Sequence, residues 1–186
     1  NTVAELKSAF NYDLLNEDAK ISYDVWIYQY EAALALVPFR RQQYVFTQMM
    51  GNHTHLPNFI INFHKVDDLS DMQAYIKRIG GLSSAVSQLL ARAKVHASEG
   101  VRPPYFAYEG IIEQSENLIT GQPFDQSEQD SPLFADAKKK IKGLVDSNKI
   151  DSELATSLEA EARLALTSQF QLTYQDLITW FRQDKA

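Results

Sequence analysis

Histidines are the residues of this sequence that could most directly do chemistry. Four are present, and two of them, His53 and His55, stand two positions apart within residues 48–57. A pair with this spacing could supply two metal ligands if the backbone were extended, but no third ligand is evident nearby. Hydrogen bonding, or a position in a solvated loop, is the interpretation that we favour for this pair. For His64 and His96 we expect ordinary structural roles.

Other kinds of catalytic centre lack support in the sequence. No His-Glu-x-x-His pair occurs, so the helical zinc site with its general base is missing. Cysteine is absent, which excludes disulfides, thiolate metal sites and a cysteine nucleophile. There is no Gly-x-Ser-x-Gly turn and no glycine-rich phosphate loop. We therefore expect no catalytic residue, no metal ligand and no cofactor in this chain.

Two positions outside the usual motifs could face a ligand. Arg40 and Arg41 follow an aromatic residue, and guanidinium groups bind carboxylates and other anions. A salt bridge to one of the 24 acidic residues is the alternative. The second position is the polar stretch that contains Gln48, His53 and His55.

The composition of that stretch needs a physical reason, because it combines glycine and proline with two methionines. A buried polar turn is one explanation, with Gly51 at an unusual φ and the histidine bonded to backbone. A loop that faces a ligand is the other. From spacing alone, Arg40, Gln48, His53 and His55 are the ligand-facing candidates.

Composition narrows the possible partners. The net charge of -6 gives an acidic surface that repels phosphate backbones, so nucleic acid is not an expected partner. No apolar run approaches the roughly 18 residues of a membrane span.

The chain starts with polar residues and without methionine. We interpret it as a processed or excised segment of a larger protein, and expect apolar faces, on the first and last helices, that are exposed or covered by a second copy.

The elements that must position these residues are helices. Apolar residues recur at helical spacing through most of the chain, and no useful stretch alternates with period two. This pattern predicts an all-α fold, an irregular array of about six to eight helices with one long C-terminal helix, in one domain over residues 1–186 or in a fragment of a larger helical protein. The predicted helices cover residues 3–15, 17–36, 56–63, 68–79, 82–100, 103–119, 131–145 and 151–183.

Three of these helices carry specific expectations. The second is apolar over much of its circumference, which predicts deep burial. The third should begin near Leu56, with Pro57 in its first turn. Between the fourth and fifth, Gly80 and Gly81 permit a bend.

Six short motifs in the same order resemble a bacterial family called domain of unknown function 885. They are Ile21-Ser22-Tyr23-Asp24, Val37-Pro38-Phe39-Arg40, Gln48-Met49-x-Gly51-x-His53-x-x-Leu56-Pro57, Tyr75-Ile76-x-Arg78-Ile79, Gly100-Val101-x-Pro103-Pro104 and Asp130-Ser131-Pro132-Leu133. Met50 departs from the pattern, because members often have a small residue there.

Several expectations follow from this resemblance alone. Members are often described as exported proteins or lipoproteins, and they resemble helical metallopeptidases whose zinc motif lies C-terminal of the part seen here. The resemblance implies a periplasmic or lipid-anchored parent protein that could hold zinc, with a peptide substrate. This chain would be a scaffold that contacts the rest of the parent, lines one side of the cleft and is inactive alone.

The resemblance also gives roles to three candidates. Gln48 and His53 would lie near the cleft wall, and Arg40 could bind a substrate carboxylate. The alternative is a non-enzymatic helical module that holds a peptide or a partner helix in an apolar groove. A purely structural domain is a third possibility.

Overall fold

The computed structural model of the chain describes residues 2–185, and it is built from α-helices. No β-strand occurs within this range, so the all-α prediction is confirmed. The helices are α1 (Thr2–Ala9), α2 (Glu17–Leu36), α3 (Asn52–Phe63), α4 (Leu69–Ser98), α5 (Tyr105–Leu118), α6 (Pro132–Asp146), α7 (Ser152–Ala165) and α8 (Gln171–Lys185). Within the described residues, no helix has both the length and the apolar content needed to cross a membrane.

The chain divides into two compact units at Gln43 and Tyr44. The first unit contains α1, α2 and two single 3-10 turns, Tyr12–Leu14 and Val37–Phe39. The second contains α3 to α8 and the hydrophobic core cluster.

Side-chain caps set the helix boundaries of the first unit. The Asn16 side chain accepts the Ala19 N–H at 2.9 Å, and α2 has the bounds that the sequence predicted. The first helix is shorter than predicted and ends at Ala9. Asn11 caps a separate 3-10 turn instead, by accepting the Asp13 N–H at 3.2 Å.

The prediction that the second helix is deeply buried is wrong. None of the α2 residues is buried, and Tyr28 is 73% and Leu36 63% exposed. A helix that is apolar on most sides needs neighbours on most sides to be covered. The first unit supplies only an eight-residue helix and two short turns.

Helix α4 is the centre of the second unit, where it packs against α3, α6, α7 and α8. Its 30 residues run through Gly80 and Gly81 without a break, so the two predicted helices are one. Gly80 has a packing reason in place of a bending one. A Cβ on Gly80 would stand 3.0 Å from the Gln169 amide oxygen, so the missing side chain leaves room for Gln169.

The last two helices are joined by a π turn at Leu166–Phe170, where the Gln171 N–H bonds to the Leu166 carbonyl. Buried residues recur every four positions across this joint: Leu158, Ala162, Leu166, Phe170 and Tyr174. On a straight α-helix a spacing of four drifts by about 40° each time, or about 160° over this run. The wider π turn removes much of that drift and keeps the five side chains in the core.

Candidate functional site

The two neighbouring histidines lie in a helix and not in a loop. Helix α3 begins at Asn52, four residues before the predicted start, with Gly51 at its N-cap. The Gly51 carbonyl accepts the N–H groups of Thr54 and His55 at 3.1 and 3.0 Å. Because residues two apart on a helix point about 200° from one another, His53 and His55 face different sides. His53 is buried and His55 is exposed.

Pro57 explains how the core holds this helix. It lies inside α3 and has no N–H to donate to the carbonyl four residues earlier, which is that of His53. A buried carbonyl without a donor is costly. The Tyr174 hydroxyl of α8 donates to the His53 carbonyl and replaces the missing helical bond.

A chain of hydrogen bonds fixes the His53 ring to the preceding turn. The Gln114 side-chain amide of α5 donates to the Gln48 carbonyl at 2.6 Å. This orients the amide oxygen toward His53 Nε2, at 3.1 Å. Since that oxygen can only accept, Nε2 must carry the proton and Nδ1 must be the bare nitrogen.

Burial keeps this imidazole neutral. It lowers the pKa of His53 to about 4, and the hydrogen bond to Gln114 offsets only part of that effect. The bare Nδ1 is itself buried and has no hydrogen-bond partner among the described residues. The Phe46 ring packs edge-on against the imidazole, with centroids 5.8 Å apart.

Two glycines allow the turn before α3 to pack this tightly. A Cβ on Gly51 would lie 2.3 Å from His53 Nδ1 and 2.4 Å from the Thr47 carbonyl oxygen. A Cβ on Gly110 of α5 would lie 2.8 Å from the Gln48 Cβ. The φ of Gly51 is an ordinary -72°, so this glycine is required by close approach and not by an unusual backbone.

The outer side of the same turn is apolar and open. Met49 is 86% and Met50 is 84% exposed, although the turn that carries them is bonded to α5, where the Gln114 side-chain amide donates to the Gln48 carbonyl. Helix α3, which follows the turn, has an exposed face of its own with His55, Phe59 and Phe63, which are spaced by four. The two phenylalanine rings stack with centroids 5.2 Å apart.

The structure thus separates the four ligand-facing candidates. Gln48 and His53 come together through Gln114; Gln48 is half-buried and the His53 ring does not reach solvent. His55 lies on the exposed face of α3. Arg40 is exposed and belongs to the first unit.

A second polar cluster lies where α3, α4 and α6 pack. The Tyr75 hydroxyl donates to the Asp136 carboxylate at 2.8 Å, and Lys140 contacts that same carboxylate. Burial, followed by the Asp136 charge, raises the pKa of Tyr75. Lys140 also donates to the Ile61 carbonyl at 3.1 Å, so this half-buried pair connects α6 to α3.

Arg78 and His64 form the exposed edge of that cluster. The Arg78 guanidinium lies 2.7 Å from His64 Nδ1. Partial burial lowers the pKa of His64, and the Arg78 charge lowers it further. Since guanidinium only donates, His64 accepts this bond as a neutral imidazole.

The described residues do not fit a zinc site. Nowhere in residues 2–185 do three or more His, Asp or Glu side chains converge in a way that could hold a metal ion. His53 Nε2 is committed to Gln114, and His55 points to the other side of α3.

We expect Tyr174→Phe to reduce the free energy of unfolding by about 1–3 kcal/mol, because the buried His53 carbonyl loses its donor. Pro57→Ala restores an N–H four residues after His53, so the double variant should regain most of that loss. Urea denaturation of the wild type, both single variants and the double variant measures the coupling. Equal destabilisation of the single and double tyrosine variants would contradict this account of Pro57.

All 186 residues match the family model described as bacterial protein of unknown function (DUF885). The chain belongs to this family. Comparison with curated proteins and with solved structures gave no match.

Within this DUF885 chain, most of the quoted motifs fall on joints between helices. The motif from Gln48 to Pro57 forms the buried turn and the first half of α3. Gly100, with a φ of 86°, ends α4. Ser131 takes the predicted N-cap position of α6, and its buried hydroxyl has no partner in the described structure.

Sequence reasoning missed three residues of the site. Gln114 and Tyr174 lie 61 and 121 positions from His53, and nothing local in the sequence links them to it. A proline inside a helix does, however, imply a free carbonyl four residues earlier, and that could have prompted a search for a donor. Arg78 stood in a quoted motif without being assigned a role.

Proposed function

We propose that this chain is a non-catalytic helical scaffold of a metallopeptidase-like bacterial protein, and that its methionine turn forms part of the wall of a peptide-binding cleft. The methionine turn is residues 47–51. The observation that carries the proposal is a backbone fixed from within the core that presents two exposed methionine side chains.

This arrangement favours binding of apolar groups of varied shape. Methionine side chains are flexible and polarisable, so they adapt to different partners. Because the backbone beneath them is already ordered, binding costs only the ordering of the side chains. Phe59 and Phe63 extend the apolar surface along α3 and provide further contact area.

Three parts of this proposal rest on the family resemblance. They are zinc in the parent protein, a periplasmic or lipid-anchored location, and contact with the remainder of the parent chain. The alternative is a non-enzymatic module that binds a peptide or a partner helix through the same apolar surface. The exposed apolar residues on α2 and on α3 fit that alternative, and they fit a second copy of the chain as the partner equally well.

Hydrolysis assays separate the two functions. The whole parent protein and this chain are each incubated with zinc and a fluorogenic peptide, with and without a chelator. We expect chelator-sensitive hydrolysis by the parent and none by the chain. A parent protein that binds peptide but never hydrolyses it would support the binding module, and hydrolysis by the chain alone would refute the scaffold role.

The Met49→Ser/Met50→Ser double variant tests the cleft wall directly. We expect its affinity for a dye-labelled Ser-Leu-Phe-Ser-Leu-Phe peptide to fall about thirtyfold, since partial burial of each of the two methionines contributes about 1 kcal/mol. Fluorescence anisotropy on the 186-residue chain measures this.

Leu164→Ser/Leu172→Ser is the matched control, because these leucines are also exposed, at 65% and 56%, but lie on α7 and α8. Thermal melts should show that all variants remain folded. An equal loss of affinity in the control would remove the methionine turn from the binding surface.

A further inference from the structure

The exposed apolar face of α3 leads to a cation at its C-terminal end. His55, Phe59 and Phe63 follow one another at one-turn spacing, and His64, the next residue, contacts Arg78. The face from His55 to Phe63 is about 12 Å long, which matches three to four residues of an extended peptide.

Arg78 has no acidic partner in the described part of the chain. It is exposed, and among the described residues it makes no ion pair with an acidic side chain. Its partner His64 is a neutral acceptor, which orients the guanidinium without neutralising it.

The nearby acidic groups have other partners. The Asp136 carboxylate is held by Lys140 and by the Tyr75 hydroxyl. The Asp71 carboxylate accepts the Asp67 N–H at 3.0 Å. Arg78 therefore has no carboxylate partner among the described residues, and the same is true of the exposed Arg92.

We infer that Arg78 binds the C-terminal carboxylate of an apolar peptide whose side chains lie along Phe59 and Phe63. This inference rests on the proposed function, because it places the same peptide on the surface that begins at the methionine turn. A guanidinium group binds a carboxylate through two parallel hydrogen bonds, and the two exposed phenylalanines of α3 favour apolar side chains. Peptides with a free carboxyl end after apolar residues are the ligand class that matches both features.

The experiment compares two forms of one probe. Dye-labelled Ser-Leu-Phe-Ser-Leu-Phe is prepared with a free carboxyl end and as its C-terminal amide, and anisotropy titrations are run on the 186-residue chain. We expect the acid to bind about five- to tenfold more tightly than the amide. Arg78→Gln should abolish this preference, whereas Arg78→Lys should retain part of it.

Arg92→Gln is the matched control. Arg92 is exposed on the same helix, 14 residues further along and thus about 21 Å away, so its replacement changes the net charge equally. It should leave the preference for the acid intact. If both substitutions weakened the preference for the acid equally, long-range charge would explain that preference, and the inference would be overturned.

The outcomes also separate this inference from the proposed function. If acid and amide bind alike while the Met49→Ser/Met50→Ser variant weakens both, the carboxylate role of Arg78 is refuted and the cleft wall stands. If neither peptide binds the wild-type chain, both fail.

Discussion

Gly51→Ala is expected to destabilise the chain by about 3 kcal/mol or more, a large effect for one added methyl group. Its Cβ would lie 2.3 Å from His53 Nδ1 and 2.4 Å from the Thr47 carbonyl oxygen. The imidazole could rotate only by losing its bond to Gln114, and the carbonyl belongs to the backbone of the same turn. Urea denaturation measures the loss.

Gly143→Ala is the matched control for this substitution. Gly143 lies inside α6, and a Cβ there would meet nothing within 4 Å. Alanine is favoured over glycine in a helix by about 1 kcal/mol, so this variant should be more stable than the wild type. A Gly51→Ala chain as stable as the wild type would show that the turn can relax, and it would remove the argument that its backbone is fixed.

Acidification should destabilise the fold between pH 6.5 and about 4 because of His53. The pKa of this histidine is about 4 in the folded chain, against 6.5 for an ordinary histidine. Between these values the unfolded chain binds a proton that the folded chain does not. The free energy of unfolding therefore falls by up to about 1.4 kcal/mol per pH unit, or about 3 kcal/mol in total, and this contribution is constant below pH 4.

Denaturation curves at several pH values test this expectation with two variants. His53→Gln should remove most of the slope in that interval, and the remainder should come from His64, whose pKa is also lowered. His55→Gln, on the exposed side of the same helix, should leave the slope in place. A proton NMR titration of wild-type His53 is independent of variant stability, and an ordinary pKa near 6.5 there would contradict the buried neutral form.

Much of the fold follows from local patterns in the sequence. Asn16 predicted the start of α2 because its side chain caps the helix, and Ser131 with Pro132 predicted the start of α6. Burial was harder to predict, since it depends on neighbours that no local pattern specifies. Helix α2 has the composition of a core helix and yet has no buried residue.

The candidate site was also predictable only in part from local sequence. Of the two explanations for the stretch from Gln48 to Pro57, the buried polar turn describes its inner side, but the expected bond from the histidine to backbone is wrong, because the His53 ring bonds the Gln114 side chain. The unusual glycine φ expected for that turn is wrong, because Gly51 is constrained by contact. The outer side, with Met49 and Met50, keeps the ligand-facing hypothesis open to experiment.

The error in placing the start of α3 had one cause. Because proline is common in the first turn of a helix, the sequence predicts that Pro57 lies there and that both histidines precede the helix. The helix begins earlier because a hydroxyl from α8 replaces the bond that Pro57 cannot make. That compensation is tertiary and comes from a residue far along the chain.

The π turn between α7 and α8 makes this joint tolerant of a change in chain length. It holds one residue more than a regular α-helix would need to join the two buried faces. Relatives that lack one residue between Leu166 and Phe170 can therefore have a straight helix here and still direct Leu158 and Tyr174 into the same core. A deletion elsewhere in α7 or α8 would instead rotate one buried face by about 100° relative to the other.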